Sequence, residues 1–153
     1  MRRRVIDTTE EMLEVISRCD VCYVSMVTPE GLPYVVPMNF GFSDGVLILH
    51  GAREGMKMNI LAKNPNVCIA FSTDHELRYQ HEQVACSWSM KYRSVLLSGK
   101  VEMIHDFDEK VSALNIIMRK YAGRDFTYSP PAVREVQPFK ITGFKLTGRA
   151  YGV

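Results

Sequence analysis

Leu47-Ile48-Leu49-His50-Gly51-Ala52-Arg53-Glu54-Gly55-Met56-Lys57 decides how the rest of the chain is read. It reads as a buried strand, then a small-residue turn carrying His50, then the opening of a helix with Lys57 in its first turns. A strand that enters a helix through Gly and Ala leaves backbone N–H groups pointing outward, where the helix dipole favours negative charge. Lys57 adds a mobile cation and His50 a titratable donor. The stretch is therefore a candidate seat for the phosphate end of a cofactor. Many strand–helix turns with Gly and a basic residue bind nothing, so the flanking sequence has to decide.

Toward the N-terminus, Thr8-Thr9-Glu10-Glu11 has the form of a capping box. Met12, Val15, Ile16 and Cys19 follow at helical spacing and make one apolar stripe. Val21 to Val27 reads as a strand, Thr28-Pro29-Glu30-Gly31 as a turn, and Leu32 to Phe42 as a second strand interrupted by Pro33 and Pro37. Ser43-Asp44-Gly45 is a tight hairpin turn into a third strand, Val46 to His50. Three strands with short turns predict an antiparallel meander. Proline removes a ladder donor, so backbone groups of Pro37-Met38-Asn39-Phe40 are free either to face a ligand or simply to blunt an edge.

Toward the C-terminus, Arg53 to Asn64 reads as a helix stopped by Pro65. Asn66 to Ser72 is a fourth strand. Thr73 to Gln83 is polar and reads as a loop or ragged hairpin, and Val84 to Trp88 as a short strand. Tyr92 to Ile104 is a long strand in which Gly99 suggests a bulge or bend. Asp106 can cap a helix with the stripe Val111, Leu114, Met118 and Tyr121, ending at Gly123. Arg124 to Pro131 is a loop, and Phe139 to Arg149 alternates as a last strand. The count is six or seven mainly antiparallel strands and three helices, which predicts a mainly β chain: a small barrel with flanking helices.

The chain has 153 residues, 46% of them apolar and 24% charged, with a net charge of +2. These values predict one domain, residues 1–153, without disorder. The balance of charge argues against nucleic acid or an anionic membrane as partner. Arg2-Arg3-Arg4 is followed by acidic residues and not by an apolar run, so it reads as a solvated arm and not as a secretory signal. No stretch is long and apolar enough to span a bilayer, and the expected location is cytoplasmic. Cys19, Cys22, Cys68 and Cys86 are then free thiols. Cys19-Asp20-Val21-Cys22 has C-x-x-C spacing but lacks the second pair that a four-thiolate zinc site needs, and His75, His81 and Cys86 fit no standard metal spacing. No metal is expected.

Three segments offer groups for one site: Pro37 to Phe40, His50 to Lys57, and Tyr92 to Val95. The last brings Arg93, a fork-shaped cation, and the Ser94 hydroxyl. Trp88 and Tyr92 are candidates to cover an aromatic ring.

The order and spacing of four features resemble the flavin-binding split-barrel family related to pyridoxamine 5'-phosphate oxidase, and more closely its nitroimidazole-resistance branch. The features are the leading helix and meander ending in Pro37-Met38-Asn39-Phe40; His50-Gly51-Ala52 with Gly55 and Lys57; Asn64-Pro65-Asn66-Val67-Cys68; and Tyr92-Arg93-Ser94-Val95 with Gly99-Lys100-Val101. The resemblance implies a split β-barrel homodimer with FMN at the subunit interface. It implies that Pro37, Met38, Asn39 and Phe40 run along the isoalloxazine. Gly51, Ala52 and Lys57 would hold the phosphate, helped by Arg93 and Ser94, with Tyr92 and Val95 in the same binding segment. His50 would lie beside the flavin and handle substrate. Met56 stands where many relatives carry a basic residue. Thr73 to Ser89 matches the family poorly and is a candidate substrate-side wall. The implied activity is reduction of a small electrophile such as a nitroaromatic, with a nicotinamide electron donor. The alternative is a non-catalytic flavin or haem carrier, with His50, His75 or His81 on iron.

Overall fold

A computed structural model describes residues 2–153. In chain order the elements are β1 (Arg3–Ile6), α1 (Thr9–Arg18), β2 (Cys22–Val27), β3 (Pro33–Met38), β4 (Gly41–Ser43), β5 (Val46–Ala52), α2 (Met56–Lys63) and β6 (Asn66–Arg78). Then come β7 (Ser89–Lys100), β8 (Glu102–Met103), α3 (Phe107–Ala122), α4 (Pro130–Arg134), β9 (Val136–Ile141) and β10 (Lys145–Tyr151). Two antiparallel sheets face each other, one in the order β1-β10-β7-β6-β2-β3 and the other β4-β5-β9-β8. The architecture is the mainly β, split-barrel arrangement expected, built from ten described strands and four α-helices where six or seven strands and three helices were anticipated.

The difference in count has a physical cause: the chain repeatedly leaves one sheet for the other. Leu32 to Phe42 is not one strand. Its first part pairs with β2 and its last part, from Gly41, pairs with β5 in the second sheet. The meander is therefore two hairpins, one per sheet. Phe139 to Arg149 likewise splits at Thr142–Phe144, where Gly143 takes φ 59°, into β9 and β10. Tyr92 to Ile104 splits after Lys100 into β7 and β8. Gly99 stays inside the ladder opposite Val67. Its role is close approach, since a methyl group there would sit 2.6 Å from Ile141 Cγ2. The irregularity of β6 and β7 falls instead between Thr73 and Glu76. Beyond it the two strands continue as an arm, pairing Glu76 with Lys91, Leu77 with Met90 and Arg78 with Ser89. Thr73 to Arg78 is thus the ragged hairpin and not the loop, and Ala85–Ser87 is a 3-10 turn and not a strand.

Other boundaries follow local chemistry. Thr8 Oγ1 accepts from the Glu11 N–H and Asp106 from the Glu109 N–H, as their capping boxes predict. In α3 the buried face is Ala113, Leu114, Asn115 and Ile117, rotated from the expected stripe. Tyr121 is drawn outward because its hydroxyl donates to the Asp20 carbonyl at 2.7 Å and accepts from the Phe40 N–H at 3.1 Å. Buried Asn115 accepts from the Phe126 N–H and the Tyr128 hydroxyl, which pins the loop after α3. The main core lies between the sheets and α1 and includes Phe40, Phe71, Phe139, Leu49 and Leu97.

Arg2-Arg3-Arg4 is not simply a solvated arm. Arg3 and Arg4 open β1, which pairs with β10, and Ile6 is buried. Arg4 forms a bidentate pair with Glu11 at 2.6 and 3.2 Å. Asp74, at φ 59° in the β6 bulge, bridges Arg18 at 2.8 Å and Arg93 at 2.9 Å. The hydrogen bond from Arg18 holds the Asp74 carboxyl below its ordinary 3.8, and that from Arg4 holds Glu11 below 4.5. Folded values below the unfolded ones mean that this stabilisation is complete above those ordinary values and drains as pH falls through the lowered ones. Asp74→Asn keeps a residue tolerant of positive φ and removes the charge. Urea titrations should show a loss of about 1 kcal/mol at neutral pH, as partly exposed pairs give. The gap between variant and parent should narrow as pH drops below 3.8.

Candidate functional site

Three elements position the stretch around His50. The strand runs on through Ala52, so His50, Gly51 and Ala52 belong to β5 and not to a turn; they pair with Pro138, Gln137 and Val136 of β9. Arg53 to Gly55 makes the turn, and the helix begins at Met56 and not Arg53 because Gly55 takes φ 127° as its N-cap. Strand alternation sends neighbouring side chains to opposite faces. Gly51 faces α2, on the side of buried Leu49, whereas exposed His50 shares the other face with Ile48, which packs with Ala113 and Ile117 of α3.

Lys57 lies over Gly51. A methyl group on Gly51 would come within 2.9 Å of Lys57 Cε and Nζ and 2.8 Å of Met58 Cε, so glycine is what lets the amine sit against the strand. No carboxylate meets Lys57 among the described residues. Burial alone pushes its ammonium below the usual 10.5. The start of α2 has no side-chain cap, unlike the starts of α1, α3 and α4. An uncompensated, half-buried cation beside uncapped N–H groups is an electrostatic vacancy that suits an anion. A cleft of about 320 Å³ between the Thr28–Glu30 turn and α2 carries Glu30 and no basic side chain, which leaves the anionic seat on the Lys57 side.

The other candidates are placed as follows. Pro37 is exposed on the edge strand β3, Met38 is buried, and Asn39 is exposed where the chain passes between sheets. Phe40 is fully buried, edge-on to Phe71 at 5.1 Å, with Lys120 Nζ 4.5 Å from its ring centre. Its N–H is already bonded to Tyr121. Within the segment, then, Asn39 and the free edge of β3 remain open to a ligand. Arg93 and Ser94 point to opposite faces of β7: Ser94 outward with Leu96, and Arg93 inward with Val95, held by Asp74 and by Glu11 at 3.8 Å. Tyr92 stacks on Tyr151 at 6.3 Å and Trp88 on Tyr79 at 4.3 Å. Val95 is core. Sequence reasoning missed Asp74, whose claim on Arg93 comes from the bulge and has no local signal.

The sequence from residue 8 to residue 150 matches the profile of the pyridoxamine 5'-phosphate oxidase family. The chain belongs to that family. Among solved structures it is similar to a candidate 5-nitroimidazole antibiotic resistance protein from Bacteroides thetaiotaomicron, with 45% identity and a TM-score of 0.88 over 97% of this chain and 87% of that one. It shares its fold with the flavocytochrome Anf3 of Azotobacter vinelandii (17% identity, TM-score 0.82, 97% of this chain and 70% of that one). The same holds for an FAD- and haem-binding protein of Mycobacterium smegmatis (16% identity, TM-score 0.83, 100% and 75%). No curated protein matches the sequence.

Among the described residues no three metal-ligating side chains come together. Cys19 and Cys22 are buried free thiols, and burial pushes Cys22 up to about 12, so neither is a thiolate at neutral pH. His75 Nε2 lies 2.7 Å from the Ser72 hydroxyl, and His50 is exposed on β5. No described helix is long and apolar enough to cross a membrane.

Proposed function

We propose that the protein is an FMN-binding flavoprotein that reduces a small electrophile such as a nitroaromatic, with a reduced nicotinamide as electron donor. The observation that carries the reading is Lys57, a desolvated cation laid over Gly51 with no carboxylate against it. A phosphate monoester fits that seat in charge and in donors. The likeness to the 5-nitroimidazole resistance protein supports the choice of electrophile. When bound, the flavin supplies the electron-transfer chemistry. Lys57 and the first N–H groups of α2 would hold its phosphate, Gly51 would keep the amine in place, and the open edge at Pro37 to Asn39 would run beside the ring. His50, on the opposite face of β5, is assigned to the acceptor as a proton donor or positioning group. The reading carries a cytoplasmic location, where free thiols persist.

Lys57→Met separates binding from folding. Loss of one charge-assisted hydrogen bond is worth about 1.5–3 kcal/mol, so FMN should bind roughly 10- to 150-fold more weakly in equilibrium titrations. The flavin-free variant should melt higher than the parent, because the cost of burying the ammonium is gone. Gly51→Ala meets only the ends of flexible side chains; it should fold normally and also bind FMN more weakly. His50→Ala should keep its flavin and lose turnover of the acceptor. If Lys57→Met retains FMN at parental affinity, the phosphate seat is elsewhere and the reading fails. A Soret band in protein isolated with its native cofactor would replace FMN by haem.

We also propose a homodimer. A row of neighbours crosses the outer face of the six-stranded sheet: Pro37, Tyr23, Ala70, Leu96 and Thr147, one from each of five strands. Tyr23 and Leu96 in that row, and Val35 beside it, are 50%, 47% and 60% exposed. Apolar surface continuous over several strands favours covering by a second surface. Light scattering should give twice the mass of one chain, and Leu96→Glu should halve it.

A further inference from the structure

We propose that the inner face of the β6–β7 arm holds a second small-molecule site, selective for a planar aromatic ring bearing one anionic group. The cavity there encloses about 460 Å³ and is bounded by Arg78, Lys91, Tyr79, Trp88 and the end of β10 at Tyr151. That volume is within the range of small-ligand pockets.

Strand register sets its charge. Arg78 lies opposite Ser89 and Glu76 opposite Lys91, so all four side chains leave the same face of the arm. Glu76 is committed to Arg78 at 3.1 Å and does not line the cavity. Among the described residues no acidic side chain does. Two cations against one carboxylate leave one positive charge facing the cavity.

The tip supplies its aromatic wall. Tyr79 and Trp88 stack at 4.3 Å with their planes 29° apart, yet remain 50% and 37% exposed, so ring surface is still open to a guest. The tip is fixed before any ligand arrives. Trp88 Nε1 donates to the Glu82 carbonyl, and the Ser87 hydroxyl donates toward the carbonyls of His81 and Val84 while accepting from the His81 N–H. A rigid aromatic wall loses little entropy on binding, and a cation beside it selects an anion attached to a ring over a neutral ring. The site belongs to the six-stranded sheet, whereas Lys57 and Gly51 belong to α2 and the four-stranded sheet. The proposal requires neither flavin nor turnover.

Trp88 is the only tryptophan in the chain, so its emission reports on this wall alone. Purified protein, with whatever cofactor it carries, is titrated with 4-nitrobenzoate and separately with 4-nitrobenzamide, corrected for absorbance against free tryptophan. The expected result is saturable quenching by the carboxylate, at least tenfold tighter than by the amide, and reversed by benzoate. Arg78→Gln with Lys91→Gln should raise the carboxylate half-point to that of the amide, without changing bound flavin or the melting temperature. Equal, non-saturating quenching by both compounds overturns the site, and this comparison needs no variant. Saturable quenching that survives the double substitution but disappears in Lys57→Met also overturns it, by placing the ligand with the flavin.

Discussion

Gly41→Ala should destabilise the protein by about 3 kcal/mol or more, at or above the upper end of ordinary overpacking costs. The added methyl group would lie 2.7 Å from the backbone nitrogen of Ile117 and 2.8 Å from its Cα and from the Ile116 carbonyl carbon. These are backbone atoms of a 16-residue helix, so relief requires α3 to move away from β4. That movement would also disturb the packing of Ile48 against Ile117 and Ala113, on the face of β5 that carries His50. Chemical denaturation should show the loss at unchanged slope. By contrast, Gly51→Ala meets only flexible side-chain ends and should cost little.

Phe40→Ala should cost about 3–5 kcal/mol, the usual range for emptying a buried aromatic site. Phe40 has no exposed surface, meets Phe71 edge-on and lies under the Lys120 amine. Removing the ring also strips Lys120, already lowered from 10.5 by burial, of its cation–π contact, leaving its bond to the Ser17 carbonyl. Phe40 and Gly41 form the passage between the two sheets, so the two losses share atoms and should not add. A Phe40→Leu variant, which refills most of the volume, should recover more than half of the loss. Thermal and urea unfolding of the single and double variants would check both statements.

Much of this arrangement was legible in the residues. The capping boxes at Thr8 and Asp106, the Asp44-Gly45 turn at φ 49° and 76° and the helix stop at Pro65 are local chemistry, and local chemistry leaves a local mark. The switches between sheets were not legible. Met38 and Phe40 are both buried, so alternation continues unbroken across the point where one ladder ends and another begins. Nothing in period-two spacing says which partner a strand will find. Gly143 was a usable signal for the break between β9 and β10 that the longer alternation masked. β1 was hidden by its arginines: Arg3 points outward, as an edge strand tolerates, and Arg4, on the face of Ile6, is accommodated by its pair with Glu11 of α1.

The site divides in the same way. Lys57 over Gly51 follows from a strand, a turn and a helix that are adjacent in sequence. Arg93 beside Ser94 suggested one joint role, yet the alternation of β7 already placed them on opposite faces. The bulge at Asp74 then decided which partner Arg93 meets, and a bulge is a tertiary event.

The position of β10 bears on how the protein is made. β10 is the last of the ten described strands, yet in its sheet it lies inside, between β1 and β7. A ribosome delivers the N-terminal end first. Until β10 emerges, β1 therefore waits without its partner while the flank of β7 stays open, and the sheet closes only after β10 has been delivered. Until then the nascent chain displays two unpaired strand edges and the buried face of Ile6. Its dependence on holding chaperones should be greatest while β7 is complete and β10 is still in the exit tunnel.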